Sequence, residues 1–204
     1  MTTARRSVAA SATAGVLAAA TAAFLVTAAA ASRGADTLHE LDVLARDHFS
    51  AAPIPFTTEL GEATTLLGDP VLSAAAALLL GAISFRRERT SFWIAPVFLG
   101  LTVLIEVGFK QVSASFPSGH VARIACLSLI AANFASGFVA RGVLVLLVVL
   151  TTFTRVAIGV HPLTDVIGGL ALGIAAGAAA SLCLLALRTT SPRHHRWLER
   201  PGQA

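Results

Sequence analysis

Two short groups of polar residues stand at the edges of long apolar stretches of this chain. The first is P-S-G-H at residues 117–120, and the second is Arg155, His161 and Asp165 in the pattern R-x5-H-x3-D. Burying an ionisable side chain in apolar surroundings costs free energy, so residues of this kind usually have a function. Two histidines, an arginine and a carboxylate suit acid–base and nucleophilic chemistry on a phosphate group.

The spacing of these residues suggests a role for each. His161 and Asp165 are four apart, which places them on one face of a helix. A carboxylate that accepts a hydrogen bond from one ring nitrogen fixes the tautomer and leaves the other nitrogen as a nucleophile. His120 has no such partner in the sequence, so we expect it to act as a general acid. Arg155 can hold phosphate oxygens through its planar fork.

Both groups also stand where apolar helices are expected to begin. Ser118-Gly119 at a helix start leaves backbone N–H groups free, and with the positive end of the helix dipole they form an anion site. His161-Pro162 precedes another apolar stretch, and proline suits the first helical position. We therefore predict two phosphate-attracting helix N-termini on one side of the molecule.

Composition identifies the surroundings as a membrane. Of 204 residues, 55% are hydrophobic and 13% are charged, which excludes an ordinary soluble domain. Apolar runs of about 20 residues match the hydrocarbon core of a bilayer. We predict an all-α, polytopic protein with a bundle of six transmembrane helices. The runs are Val8–Ala31, Thr64–Phe85, Phe92–Phe109, His120–Ala140, Val143–Ile158 (the shortest) and Leu163–Leu187.

The first run also resembles a signal peptide, because Arg5 and Arg6 precede it and small residues follow it. It is longer than the apolar part of a signal peptide, which spans roughly 7–15 residues, so we favour a retained helix. Cytoplasmic loops collect Lys and Arg. The basic loops then predict cytoplasmic N- and C-termini and an extracytoplasmic position for both motifs. The arginines on the predicted inner side are Arg5, Arg6, Arg86, Arg87, Arg89, Arg141, Arg188, Arg193, Arg196 and Arg200.

The rest of the sequence gives structural predictions. Cys126 and Cys183 lie inside predicted spans and are expected to be buried hydrophobes, not metal ligands or a disulfide. Residues 36–49 have the spacing of a short amphipathic helix on the membrane surface. Glycines 169, 173 and 177 form a small-residue ridge, for which packing inside the bundle is favoured over dimerisation. No Walker loop, dinucleotide fingerprint or nucleic-acid module is present.

The two motifs together resemble the second and third signature motifs of the type 2 phosphatidic acid phosphatase family, also called the lipid phosphate phosphatases. The resemblance covers residues 57–187, within a single membrane domain at 1–187 that is followed by a basic cytoplasmic tail at 188–204. It implies that His161 attacks phosphorus, His120 protonates the leaving alcohol and Asp165 orients His161. It also implies phosphate binding by Arg155, Ser118 and the backbone of Gly119, with no metal or other cofactor.

The first family motif, K-x6-R-P, is only half present, because Lys110 is followed by Pro117 without the Arg-Pro pair. Lys110 remains a candidate phosphate-binding cation, with an interfacial lysine as the alternative. Arg123 stands three residues after His120, and we hypothesise that it supplies the missing contact. The alternative is a structural partner for Glu106. Glu106 itself is expected to pair with Lys110 or Arg123.

These features predict a metal-independent lipid phosphate phosphatase of a bacterial plasma membrane, acting at the extracytoplasmic face through a phosphohistidine. Its partners would be membrane lipid and a lipid phosphate substrate, with no nucleic acid. Polyprenyl phosphates or diphosphates, phosphatidic acid and phosphatidylglycerol phosphate are all admissible substrates. The alternatives are a lipid-linked phosphotransferase and a non-catalytic binding or scaffold protein with a decayed site.

Overall fold

The computed structural model of the chain describes residues 3–33, 36–51, 57–86, 89–113 and 115–190. All secondary-structure elements in these ranges are helical, as predicted. A short 3-10 helix at Arg89–Trp93 leads into α5. The α-helices are α1 (Thr3–Arg33), α2 (Asp36–Ala51), α3 (Thr57–Leu67), α4 (Pro70–Phe85), α5 (Ile94–Lys110), α6 (Gly119–Ala131), α7 (Gly137–Ala157) and α8 (Leu163–Thr190).

The number of full membrane spans differs from the six predicted. Among the described residues, four helical segments are long and apolar enough to cross a bilayer, and a bent pair would make a fifth. The four are Ser7–Ser32, Arg89–Lys110, Gly137–Ala157 and Leu163–Arg188. Each of the six predicted runs does correspond to a helix or a helix pair. The count of six is therefore not exact, because the second run is broken and the fourth is short.

The second predicted run, Thr64–Phe85, covers the last turn of α3 and all of α4, and these two helices meet at an angle of 52°. The break lies at Gly68-Asp69, where the Asp69 carboxylate accepts hydrogen bonds from the backbone N–H groups of Val71 and Leu72. Pro70 occupies the first position of α4. An aspartate cap followed by proline is a strong start signal, so a new helix begins here.

The fourth predicted run, His120–Ala140, extends too far. Helix α6 has 13 residues and ends at Ala131, where the Asn133 side chain donates hydrogen bonds to the carbonyls of Leu129 and Ile130. At 1.5 Å per residue this helix is about 20 Å long, too short to cross a hydrocarbon core of about 30 Å. Most of its residues are buried inside the bundle.

The fifth run, predicted as the shortest, is longer than expected. Helix α7 has 21 residues and begins at Gly137, so Arg141 lies within its first turns and not in a loop. The outward face of α7 is apolar, and Val143, Val145, Leu146 and Val149 are exposed on it. Such a face suits contact with lipid.

The glycine ridge of α8 packs inside the bundle, as favoured from the sequence. An added Cβ would press on the Ser118 carbonyl at Gly169, on the Ala122 carbonyl at Gly173 and on the Leu129 side chain at Gly177. These close approaches hold α8 directly against α6. On its other side α8 packs against α1, and Phe24 of α1 stacks on Phe116 at a centroid distance of 6.0 Å. The first apolar run is therefore part of the bundle.

Helix α2 packs on α7 and α8. Its Ala45 and Phe49 contact a buried cluster of Val121, Val156 and Val166, whereas Leu41 and Leu44 are exposed. The amphipathic pattern is thus confirmed as a helix, with one apolar side seated on the bundle.

The predictions for the two cysteines and for the C-terminal tail each need a correction. Cys126 is buried as expected, but Cys183 is exposed, because it lies on the outer face of α8. Helix α8 continues to Thr190, so the predicted tail at 188–204 begins as helix. Residues 191–204 of that tail lie outside the described residues.

Candidate active site

The two motifs meet at one end of the bundle, where α6 and α8 begin and α5 and α7 end. The backbone N–H of Ser118 donates a hydrogen bond to the Asp165 carbonyl over 2.9 Å, which joins the first motif to the second. The His161 N–H donates to the Arg155 carbonyl over 3.2 Å, which holds the turn between α7 and α8. Backbone contacts therefore fix the relative positions of the motif residues.

His161 and Asp165 form the pair expected from their spacing. The distance between His161 Nδ1 and Asp165 Oδ2 is 3.2 Å. Asp165 is buried, and the side chain of His161 is 16% exposed. With Nδ1 directed at the carboxylate, Nε2 is the ring nitrogen left to meet a ligand.

His120 belongs to the same group. It stands at the second residue of α6, and an added Cβ on Gly68 would lie 2.8 Å from the His120 Cβ, so the α3–α4 break packs directly on it. The His120 side chain interacts electrostatically with Arg123, Arg155 and His161. Helices α6 and α7 and the turn before α8 thus direct these residues toward one site.

Ser118 occupies the N-cap position of α6, but its hydroxyl makes no capping hydrogen bond. An N-cap serine usually accepts a hydrogen bond from a backbone N–H of the first turn. Here Ser118 Oγ is buried and has no hydrogen-bond partner among the described residues. Both the hydroxyl and the first N–H groups of α6 therefore remain available to a ligand.

Gly119 is needed at this N-terminus because Glu106 of α5 approaches it closely. A Cβ at Gly119 would overlap the Glu106 carboxylate. Any larger side chain would displace the Glu106 carboxylate from its contacts with Lys110 and Arg123.

Arg155 is held by α3, which runs beside the C-terminal part of α7. Its Nη2 donates to the Gly61 carbonyl over 2.6 Å, to Thr65 Oγ1 over 2.7 Å and to Thr64 Oγ1 over 3.2 Å. Its Nε is buried and has no hydrogen-bond partner in the described parts of the chain. One end of the guanidinium is fixed by protein, and the Nε–H is left unused.

Sequence reasoning did not identify Gly61, Thr64 and Thr65 as partners of Arg155. The sequence did contain a signal for these acceptors. Gly61 and Thr65 are four residues apart, which places them on one face of a helix next to an apolar run, with Thr64 beside them. A buried arginine needs acceptors, and no carboxylate lies near it in the sequence. Small and hydroxyl-bearing residues of a neighbouring helix were the available candidates.

Glu106 joins the two cations near the incomplete motif, as expected. Its Oε1 accepts a hydrogen bond from Lys110 on the same helix, and its Oε2 accepts one from Arg123 Nη1 over 2.7 Å. Arg123 Nε also donates to the Gly68 carbonyl over 2.9 Å. Arg123 and Glu106 are buried, whereas Lys110 is about one third exposed. The contacts of Arg123 match the structural alternative, and its phosphate-binding role remains a prediction.

The N-terminus of α8 differs from the predicted anion site. Thr164 donates its backbone N–H to Asp42 Oδ1 over 2.9 Å and its hydroxyl to Asp42 Oδ2 over 2.8 Å. An acidic side chain at a helix N-terminus is stabilised by the helix dipole. A carboxylate of α2 therefore takes the place that the sequence suggested for phosphate.

Comparisons with known proteins agree with this architecture. Residues 104–188, which include both motifs, match the family model of the PAP2 superfamily. The crystal structure of the first transmembrane PAP2 type phosphatidylglycerolphosphate phosphatase from Bacillus subtilis is similar, with a TM-score of 0.70 and 22% sequence identity. The match covers 81% of this chain and 94% of that one. No curated protein matches the sequence significantly.

The apolar helices and the structural match identify a multi-pass membrane protein. The family model covers the helices that bear every proposed catalytic residue, and the matching fold extends over most of the remaining chain. The segment that bears both motifs is therefore similar to the PAP2 superfamily, and the fold of most of the chain is similar to that of a transmembrane PAP2 type phosphatase.

Proposed function

We propose that this protein is a lipid phosphate phosphatase that works through a phosphohistidine on His161. The match of residues 104–188 to the PAP2 superfamily model supports phosphatase activity, and the site geometry supports the division of roles. In this proposal His161 is the nucleophile, Asp165 orients it, His120 is the general acid and base, and the phosphate is held by the α6 N-terminus with Arg155.

The reaction has two steps at phosphorus. In the first, His161 Nε2 forms a bond to phosphorus while the bond to the lipid oxygen breaks, and His120 donates a proton to that leaving oxygen. In the second, His120 accepts a proton from water, the water oxygen bonds to phosphorus and the P–N bond breaks. Asp165 stabilises the charge that develops on the imidazole through its hydrogen bond to Nδ1.

The observation that best supports this proposal is the pair of unused buried donors beside the two histidines. Ser118 Oγ and Arg155 Nε are two of the three buried side-chain N and O atoms without a hydrogen-bond partner in the described residues. Leaving such a group unpaired costs about 1–3 kcal/mol. Both belong to the motifs, and a phosphate oxygen is the acceptor that would satisfy both, together with the N–H groups of α6.

The proposal also covers the membrane face of the active site, a role for Lys110 and the range of substrates. The basic loops of the sequence favour an extracytoplasmic active site in a bacterial plasma membrane, with the lipid tail leaving toward the bilayer. Lys110 stands at the end of α5 beside Glu106 and is a further candidate for phosphate contact. The similar Bacillus subtilis structure is described as a phosphatidylglycerolphosphate phosphatase. The substrate panel therefore keeps the lipid of that description, which the sequence already admitted, with polyprenyl phosphates or diphosphates and phosphatidic acid.

The test is phosphate release by the purified full chain from that panel, in parallel with His161→Ala and Asp165→Asn. We expect release by the wild type and a loss of at least about 1,000-fold in His161→Ala, because the nucleophile is removed. Phosphorylated acceptor in place of free phosphate would indicate the phosphotransferase. Failure of the folded wild type to release phosphate from any substrate would refute the proposal.

A further inference from the structure

A cavity lies between α2 and the turn that joins α7 to α8. Its volume is about 280 Å³, and His161 is one of the residues that line it. A single water molecule needs about 10–15 Å³ of volume on this measure, so the cavity has room for a charged head group. A group bound there would lie next to the proposed nucleophile.

One wall of this cavity is a polar face of α2 formed by His39, Asp42 and Arg46. These residues are spaced three and four apart, which places them on one side of the helix. The opposite wall is the 156–163 segment, and it is mainly apolar apart from His161. The polar groups that a ligand could meet therefore come mostly from α2.

Arg46 has no salt-bridge partner among the residues that the structure describes. An acid four residues before a base is the favourable order for an ion pair on a helix, so Asp42 would ordinarily neutralise Arg46. Instead both carboxylate oxygens of Asp42 accept hydrogen bonds from Thr164. This contact ties α2 to the helix of the nucleophile and leaves the guanidinium of Arg46 unpaired at the cavity wall.

We propose that this cavity binds a second phosphate of the substrate, beyond the phosphate that is cleaved, and that Arg46 determines specificity for it. Arginine recognises phosphate through two parallel hydrogen bonds, and His39 supplies a further donor. This inference rests on the proposed function. Two kinds of lipid have the required second phosphate: diphosphate esters, and phosphomonoesters with a neighbouring phosphodiester.

The test compares substrates in matched pairs. Farnesyl diphosphate is paired with farnesyl phosphate, and phosphatidylglycerol phosphate with phosphatidic acid. In Arg46→Gln, kcat/KM for the members with a second phosphate should fall about 10- to 100-fold, the effect of losing one charge-assisted contact. The single-phosphate members should change less than about twofold. Arg46→Lys should lie between, because it keeps the charge but not the fork.

Arg141→Gln is the matched control, since Arg141 is an exposed arginine at the opposite end of α7 from the site. Loss confined to one pair would identify which kind of second phosphate is bound. The inference is overturned if the two members of each pair lose activity equally, or if no substrate loses activity. In both cases the phosphatase activity itself stands. Absence of phosphate release by the wild type would instead overturn the proposed function, and this inference with it.

Discussion

The N-termini of α6 and α8 lie at the same end of the bundle and are linked by the hydrogen bond from Ser118 to Asp165, yet they are used differently. At α6 the N-cap hydroxyl of Ser118 is buried without a partner. In the first turn of α8, the N–H and the hydroxyl of Thr164 are both bonded to Asp42. Each helix start thus has a carboxylate beside it, but the Glu106 carboxylate at α6 is paired with a lysine and an arginine and leaves the Ser118 hydroxyl unbonded among the described residues.

This difference suggests how phosphate is directed within the site. If both ends were open, an anion could bind at either one, and only the start of α6 carries His120. With Asp42 at the start of α8, a negative charge already occupies that end and disfavours a second one. The same contact fixes α2 beside His161. Under the proposed function, the contact at the start of α8 positions α2, and the start of α6 binds the phosphate.

The largest effect on stability is expected at the charge cluster that braces the start of α6. Arg123→Met leaves the buried Glu106 without its arginine, which should lower the free energy of unfolding by about 3–5 kcal/mol. The double variant Arg123→Met/Glu106→Gln removes both charges and should recover most of that loss, as measured by thermal unfolding in detergent.

Activity of the double variant separates the two roles of Arg123. We expect it to remain within about tenfold of the wild type, because the contacts of Arg123 are structural. A stable but inactive double variant would instead support the phosphate contact hypothesised from the sequence.

The largest effect on activity short of removing the nucleophile is expected at Arg155. Arg155→Gln removes the unused Nε–H and the charge near the phosphate, so kcat/KM should fall about 100- to 1,000-fold. Steady-state kinetics on the best substrate measure this, and Arg141→Gln on the same helix is the control. A loss of less than about threefold in the folded variant would show that Arg155 does not contact phosphate.

Ser118→Ala distinguishes a binding hydroxyl from a structural one. The hydroxyl is buried and unpaired, so its removal should leave thermal stability unchanged or slightly higher. Phosphate binding should weaken, and kcat/KM should fall about tenfold.

Ser73→Ala is the matched control, because Ser73 Oγ is also buried and unpaired but lies on α4, outside both motifs. Its activity should stay at the wild-type level. A drop in stability without a drop in activity for Ser118→Ala would reverse the roles given to the two helix ends.

The smallest effect is expected at the start of α8. Asp42→Ala removes two hydrogen bonds from the start of α8 and should cost about 1–2 kcal/mol of stability. Thr164→Val should cost a similar amount, and the double variant should cost little more than either, since both changes break one contact. Additive losses would show that Asp42 and Thr164 do not depend on each other. Faster amide hydrogen exchange in α2 should accompany each variant.

The helical fold and the central site could be inferred from the sequence because their signals are local. The His161–Asp165 pair follows from i,i+4 spacing, and the long apolar segments follow from the thickness of a bilayer. The pairing of Glu106 with Lys110 and Arg123 follows from the cost of a buried lone charge. Each of these predictions depends on a few neighbouring residues.

The features that could not be inferred depend on contacts between distant segments. Asp42 is 122 residues from Thr164 in the chain, and its own helix offered Arg46 as a nearer partner. The threonines of α3 that accept hydrogen bonds from Arg155 are about 90 residues from it in the chain. The early end of α6 results from a side-chain cap by Asn133, and apolar residues on both sides of that cap hid it. A single sequence does not reveal which hydrogen-bond acceptor will lie beside which donor in the folded chain.

The most direct test of the central claim is to locate the phosphoryl group on the enzyme during turnover. The full chain is mixed with a ³²P-labelled lipid phosphate, quenched in alkali before one turnover is complete, and digested for mass spectrometry. We expect acid-labile label on His161 in the wild type and none in His161→Ala. Label on another residue, or phosphate release through a complete turnover without any labelled enzyme, would contradict the phosphohistidine mechanism.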